Sequence, residues 1–294
     1  MKLDLIGKYN LDLIFPVGLL LLAEYLIFLG NMKAAMTLHA LNILLLIFSS
    51  IYLESRIYSV LMLLPLFRLL NVAMPVFFNL TIYSYSLVYA PMFIPIYYIM
   101  REKVISTSEA GITPKGFLFY LPLAIGVGFA LGWGESNVLH AGALIPDVDL
   151  KGILILALTM TLFVGVVEEF MFRSALQTVL EQRLGSLGGL LVCSIIFGIM
   201  HSGYRLPSEV FYVSFAGVVF GLLFWLTKSL PIIALAHGIT NISLFLVAPI
   251  YPEALIYLIG VPGFLFILHA SVIWISSKEA PAGDKRPPKK IEPQ

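Results

Sequence analysis

The sequence predicts an all-α fold, a polytopic membrane bundle of about 8–10 transmembrane helices. Three observations predict it. Of 294 residues, 60% are hydrophobic and only 12% charged. The mean hydropathy of +0.96 lies far outside the range of an average soluble domain. Apolar runs able to cross ~30 Å of hydrocarbon, roughly 20 residues each as helices, recur from end to end and leave nothing for a sizeable soluble domain.

Taken in order, the candidate spans lie near 13–30, 34–53, 57–80, 82–100, 117–133, 152–172, 187–204, 209–227, 231–248 and 253–276. The N-terminus, "MKLDLIGKYNLDLIF", carries Asp4 and Asp12 and lacks a small-residue cleavage site, so the first span is expected to be retained. "YAPMFIPIYY", Tyr89 to Tyr98, contains two prolines and suggests a broken or re-entrant helix. The aromatics of "IYSYSLVYA" read as an interface belt in preference to a substrate gate. "GFALG" at Gly128 to Gly132 and "GVVFG" at Gly217 to Gly221 read as small-residue faces for close packing inside the bundle. The stretch from Lys278, "KEAPAGDKRPPKKIEPQ", is basic and Pro-rich without apolar periodicity, and reads as a disordered tail over 278–294.

A net charge of +1 gives no reason to expect nucleic acid, and a single cysteine, Cys193, excludes an internal disulfide. With the N-terminus inside, the inside segments collect most of the 18 Lys and Arg, among them Arg56, Arg101, Lys103, Arg173 and Arg183. Both termini are therefore expected in the cytoplasm. The chain is expected to be a multi-pass protein of a cell membrane or an endoplasmic-reticulum-like membrane, with a monomer favoured.

Polar residues inside spans need a reason, because a charge at the bilayer centre costs ~3 kcal/mol. In "LFVGVVEEFMFRSAL", Glu168 and Glu169 face different neighbours, while Glu169 and Arg173 have the spacing and order of an intrahelical ion pair. For this motif alone, an equally good reading ends the span there, with both acids at the headgroups. "FGIMH" puts Phe197 and His201 on one helix face, and "HGITN" does the same with His237 and Asn241. A lone histidine in a span is more often a packing residue, and His39, His140 and His269 are read that way. Three clusters on three of four consecutive spans are harder to explain as packing. Glu168 lies about 17 residues, or roughly 26 Å, before a turn at Gly185–Ser186, and His201 about 15 residues, or roughly 23 Å, beyond it. An antiparallel hairpin would bring the two level. The charge count conflicts with this by placing the span boundary near Arg173.

"EEFMFR", "FGIMH" and "HGITN" resemble, in order and spacing, the three signature motifs of the CAAX-protease and bacteriocin-processing family of intramembrane glutamate-dependent proteases, to which the Ras-converting enzyme belongs. The resemblance runs from roughly Gly152 to Val247 and includes "TKSLPIIALAHGITN"; the first 150 residues show no comparable match. It implies that Glu168 and His201 activate water, that His237 and Asn241 stabilise an oxyanion, and that Glu169 and Arg173, with Phe197 beside them, support the site. It also implies a metal-independent enzyme without a cofactor, acting on a peptide or protein. Prenylated CAAX tails are one substrate class in the family's range, and bacteriocin leaders and signalling peptides are others. The expected division is N-terminal accessory helices over 1–150, a catalytic core of four helices over 151–250, a C-terminal helix over 251–277, and the tail.

The chemistry of the residues agrees with those roles. Peptide hydrolysis needs a base for water and donors for the developing oxyanion, and one such donor is worth roughly 3 kcal/mol. Cys193 is two helical turns, about 12 Å, from His201 and reads as structural. Two alternatives stay open. Glu168, His201 and His237 would make a sensible zinc site, two imidazoles and a carboxylate with room for water. Intramembrane Glu, His, Asn and Arg, with Glu24 and Arg68 as a further pair, also suit a proton-coupled transporter, although no repeated halves are visible.

Overall fold

The computed structural model describes residues 13–77, 81–145 and 148–279; the residues expected to form the tail lie almost wholly outside these. Among the described residues every regular element is helical, and six helices are long and apolar enough to cross a membrane. The chain is a multi-pass membrane protein. Helices α1 (Ile14–Phe28) and α2 (Met32–Leu53) form a hairpin turned by Gly30, whose φ of +85° a side chain would disfavour. Asn31 caps α2 by accepting from the Ala34 amide at 3.3 Å. The third expected span divides into α3 (Arg56–Leu61) and α4 (Leu63–Phe77). The fourth divides at a single 3₁₀ turn containing Pro91, giving α5 (Ile82–Tyr89) and α6 (Phe93–Arg101). The break expected from the prolines is present.

Helix α7 (Phe117–Leu139) precedes a loop and then α8, which starts over Leu150–Leu158 behind its cap Asp149. Two π-helical stretches follow, Thr159–Gly165 and Phe170–Gln177, separated by the α turn Val166–Glu169. The chain continues into α9 (Thr178–Ile199), which breaks at Gly185, where φ is +77° and ψ is 163°. That is the turn the sequence predicted. Helix α10 (Pro207–Thr227) and helix α11 (Leu230–Ile242) follow, each with a proline in its first turn, and α12 (Leu255–Glu279) closes the chain. The last helix therefore runs through Lys278 and Glu279, two residues into the stretch expected to be tail.

Helix α11 is the most enclosed span, and α12 lies on the outside against α7. Small residues set the close approaches around α11. A Cβ added at Gly165 would stand 2.4 Å from the Ala234 carbonyl oxygen, and one at Gly238 would stand 2.4 Å from Thr161 Oγ1. The first π-helical stretch therefore lies almost backbone to backbone with α11. On the far side Gly128 and Gly132 of α7 meet the Ala236 and Thr240 carbonyls in the same way. Gly217 and Gly221 of α10 bring that helix onto α9 and the second π-helical stretch, so both small-residue faces pack inside the bundle.

Candidate active site

The two π-helical stretches flank Glu168 and Glu169, and such segments occur disproportionately at functional sites. Glu168 is 5% exposed, and Glu169 and Arg173 are fully buried. Phe170–Gln177 is buried throughout, and the helical stretch does not end at Arg173. Arg173 therefore lies within a buried helical stretch and not in a loop. The charge is instead neutralised inside the protein, where Arg173 Nε donates to Glu169 Oε2 at 3.2 Å. The guanidinium carbon also sits 4.9 Å from the centroid of the Phe197 ring.

Glu169 uses its other oxygen on α11. His237 Nδ1 and Glu169 Oε1 are 2.6 Å apart. A carboxylate can only accept, so Nδ1 carries the proton, and His237 Nε2 then points toward Glu168 Oε2 at 3.8 Å. Stacking on Phe220, with the rings 3° from parallel and 5.1 Å apart, fixes the imidazole plane. Neutral His237 offers a lone pair at Nε2. It can donate to an oxyanion there only as an imidazolium, a cation that would sit between two carboxylates.

His201 follows the end of α9. Its Nδ1 lies 2.9 Å from the Phe197 carbonyl oxygen, which again can only accept, so the neutral ring keeps an unprotonated Nε2. Glu168 and His201 line one cavity of about 330 Å³. The hairpin broken at Gly185 thus brings the two to a common pocket, as the depth argument required. Phe197 packs between the parts of the site, its centroid 5.2 Å from that of His201 and 6.0 Å from that of His237. Asn241 lies one turn beyond His237 on α11 and is half-buried; no hydrogen bond of its carboxamide is seen among the described residues. Glu168, Glu169, Arg173, Phe197, His201 and His237 come together, whereas Asn241 is not among the residues lining the cavity.

The cavity also reveals residues the sequence reading missed. Tyr89 of α5 donates its hydroxyl to Glu168 Oε1 in a short hydrogen bond. Glu168 is therefore held by an N-terminal helix, with His237 of α11 facing its other oxygen. Tyr85 and Tyr89 line the cavity with Arg68, Asn71 and Tyr204. For Tyr85 and Tyr89 this corrects the interface-belt reading. Their four-residue spacing on one helix face was the available signal. Glu24 and Arg68 pair with each other. Cys193 is buried and donates to the Phe172 carbonyl at 3.1 Å, a packing role. Among the described residues no three His, Cys, Asp or Glu side chains are grouped to hold a metal ion.

Residues 150–243 match the family model described as type II CAAX prenyl endopeptidase Rce1-like. This is the family that the three motifs resemble. The match spans every motif residue from Glu168 to Asn241 and leaves α1 to α7 outside. No curated protein and no solved structure matches the chain.

Proposed function

We propose, from the Rce1-like segment at residues 150–243, that the protein is an intramembrane endopeptidase with Glu168 as the base that activates water. The observation that carries the reading is the shared cavity of Glu168 and His201, with His237 on the other side of the carboxylate. A water there would lie beside one carboxylate and one unprotonated imidazole nitrogen. Glu168 takes the water proton as the hydroxide attacks the scissile carbonyl. His201 Nε2 accepts from the same water or relays the proton to the leaving amine, general acid–base work worth about 10²–10⁴ in rate. Asn241 and protonated His237 supply the oxyanion donors, and Glu169 with Arg173 holds His237 in orientation.

The substrate is a peptide or protein segment presented at the membrane, with a prenylated CAAX-type C-terminus as the first candidate. The termini are proposed to face the cytoplasm, in line with the distribution of Lys and Arg. The test is incubation of the purified protein with prenylated and unprenylated C-terminal peptides, comparing wild type with Glu168→Ala. Cleavage by wild type and none by the variant supports the reading. No cleavage of any peptide by wild type contradicts it and returns the transporter reading. Loss of cleavage on chelation, restored by zinc, replaces the water-activating glutamate with a metal.

A further inference from the structure

Helices α1 and α4 lie outside the family match, yet their buried side chains bind the Met200 carbonyl and the Ser202 hydroxyl on either side of His201. Arg68 of α4 donates through Nε to Glu24 Oε1 at 2.8 Å and through Nη2 to Glu24 Oε2 at 2.7 Å. The same Nη2 also donates to the Met200 carbonyl. Glu24 Oε2 in turn accepts from Ser202 Oγ at 2.5 Å. His39 of α2 stands 3.3 Å from the other oxygen. Glu24 is fully buried and Arg68 is 5% exposed.

His201 needs such support from outside its own helix. Helix α9 has ended, and His201 has φ of −98° and ψ of 12°, off the helical ladder and followed by a single 3₁₀ turn over Ser202–Tyr204. The Met200 carbonyl is one of the acceptors that a helix C-terminus leaves without an internal partner. Arg68 satisfies it, and Ser202 on the other side is tied to Glu24. A buried ion pair is seldom retained for stability, since a well-packed apolar pair often does as well or better. Here the spare hydrogen-bonding capacity of the pair goes to the two residues that flank His201. We propose that Glu24 and Arg68 are positioning residues that fix the Met200–Ser202 turn and so aim the His201 imidazole into the cavity with Glu168. The N-terminal helices then set the geometry of a group supplied by the matched segment. The inference rests on the hydrolytic reading of His201.

The test uses the full-length protein and the variants Ser202→Ala and Arg68→Lys, with Asn42→Ala as a control. Asn42 ties α2 to α1 by donating to the Pro16 carbonyl at 2.9 Å and is away from the turn. Ser202→Ala and Arg68→Lys are expected to lower kcat by about 10- to 100-fold with KM within twofold of wild type, the effect of a small misplacement of a reacting group. Asn42→Ala should lower Tm and leave kcat unchanged. Carbethoxylation of His201 by diethylpyrocarbonate, followed by mass spectrometry of the peptide, reads the imidazole without any turnover; its rate should change in Ser202→Ala and not in Asn42→Ala. If Ser202→Ala keeps both wild-type kcat and the wild-type labelling rate, the proposal is overturned, whatever Arg68→Lys does to folding. If wild type cleaves no peptide while Ser202→Ala still alters His201 labelling, the clamp stands and the endopeptidase reading fails.

Discussion

The matched segment and the helices before it contribute differently to one cavity. From residues 150–243 come the groups with obvious chemistry, Glu168 and His201 on the cavity wall and His237 beside Glu168. From α4 and α5 come Arg68, Tyr85 and Tyr89, which line the same cavity; Tyr89 hydrogen-bonds Glu168, and Arg68 hydrogen-bonds the Met200 carbonyl beside His201. The first region carries a recognisable pattern because its chemistry demands particular residues at particular spacings. The second does not, because a donor to Glu168 or to a backbone carbonyl can come from many residue types at many positions. An accessory region in sequence can thus be part of the site in space.

The largest expected effect lies in the matched segment. Glu168→Gln keeps the shape of the side chain and removes the base, so kcat on any cleaved peptide should drop by at least about 10³-fold with Tm little changed. A variant that keeps more than a tenth of wild-type activity would move the base elsewhere. Glu169→Ala should cost about 3–5 kcal/mol of stability, since it strands the fully buried Arg173 without its carboxylate. Thermal melts in detergent would register this, and a Tm unchanged from wild type would mean that Arg173 is solvated.

Gly165→Ala probes the approach that carries Glu168 to α11. The new Cβ would meet the Ala234 carbonyl oxygen at 2.4 Å, and the displacement should cost about 1–3 kcal/mol and reduce activity together with Tm. Across the cavity, Tyr89→Phe removes one donor from Glu168 while preserving the ring packed on Phe67. Loss of one hydrogen bond to a charged group predicts a change in kcat of about tenfold or somewhat more at unchanged Tm. Wild-type kinetics for this variant would confine the site to the matched segment.

The smallest effect is far from the cavity. The Glu109 carboxylate accepts from Arg56 at 2.8 Å; that contact is the main cause holding its carboxyl down at about 2, against an ordinary value of 4.5. Because the folded value is the lower one, the contribution is present above pH 4.5 and disappears as the pH falls through about 2. The pair is partly exposed, so Glu109→Gln at neutral pH should cost under about 1 kcal/mol and leave catalysis alone.

Legibility in the sequence follows the same division. The helical class, the broken fourth span, the Gly185 turn and the Glu169–Arg173 pair were all readable, since each depends on local composition or on spacing along one helix. The burial of Arg173 was not readable from a charge count, which treats an arginine as a loop residue, whereas here a buried carboxylate and the Phe197 ring receive it. The π-helical stretches around the glutamates leave no mark in an apolar sequence. The Glu24–Arg68 pair was readable, but the Tyr89–Glu168 bond and the Arg68–Met200 bond were not, because the partners are 79 and 132 residues apart in the chain. Only folding creates such contacts.

That a single site is built by both regions can be measured by photo-crosslinking with a non-hydrolysable peptide analogue, followed by mass spectrometry of the labelled fragments. Labels on α4 or α5 as well as on the stretch from Val166 to Tyr204, all displaced by excess substrate, are the predicted result. Displaceable labels confined to residues 150–243, with none on α4 or α5, would contradict it.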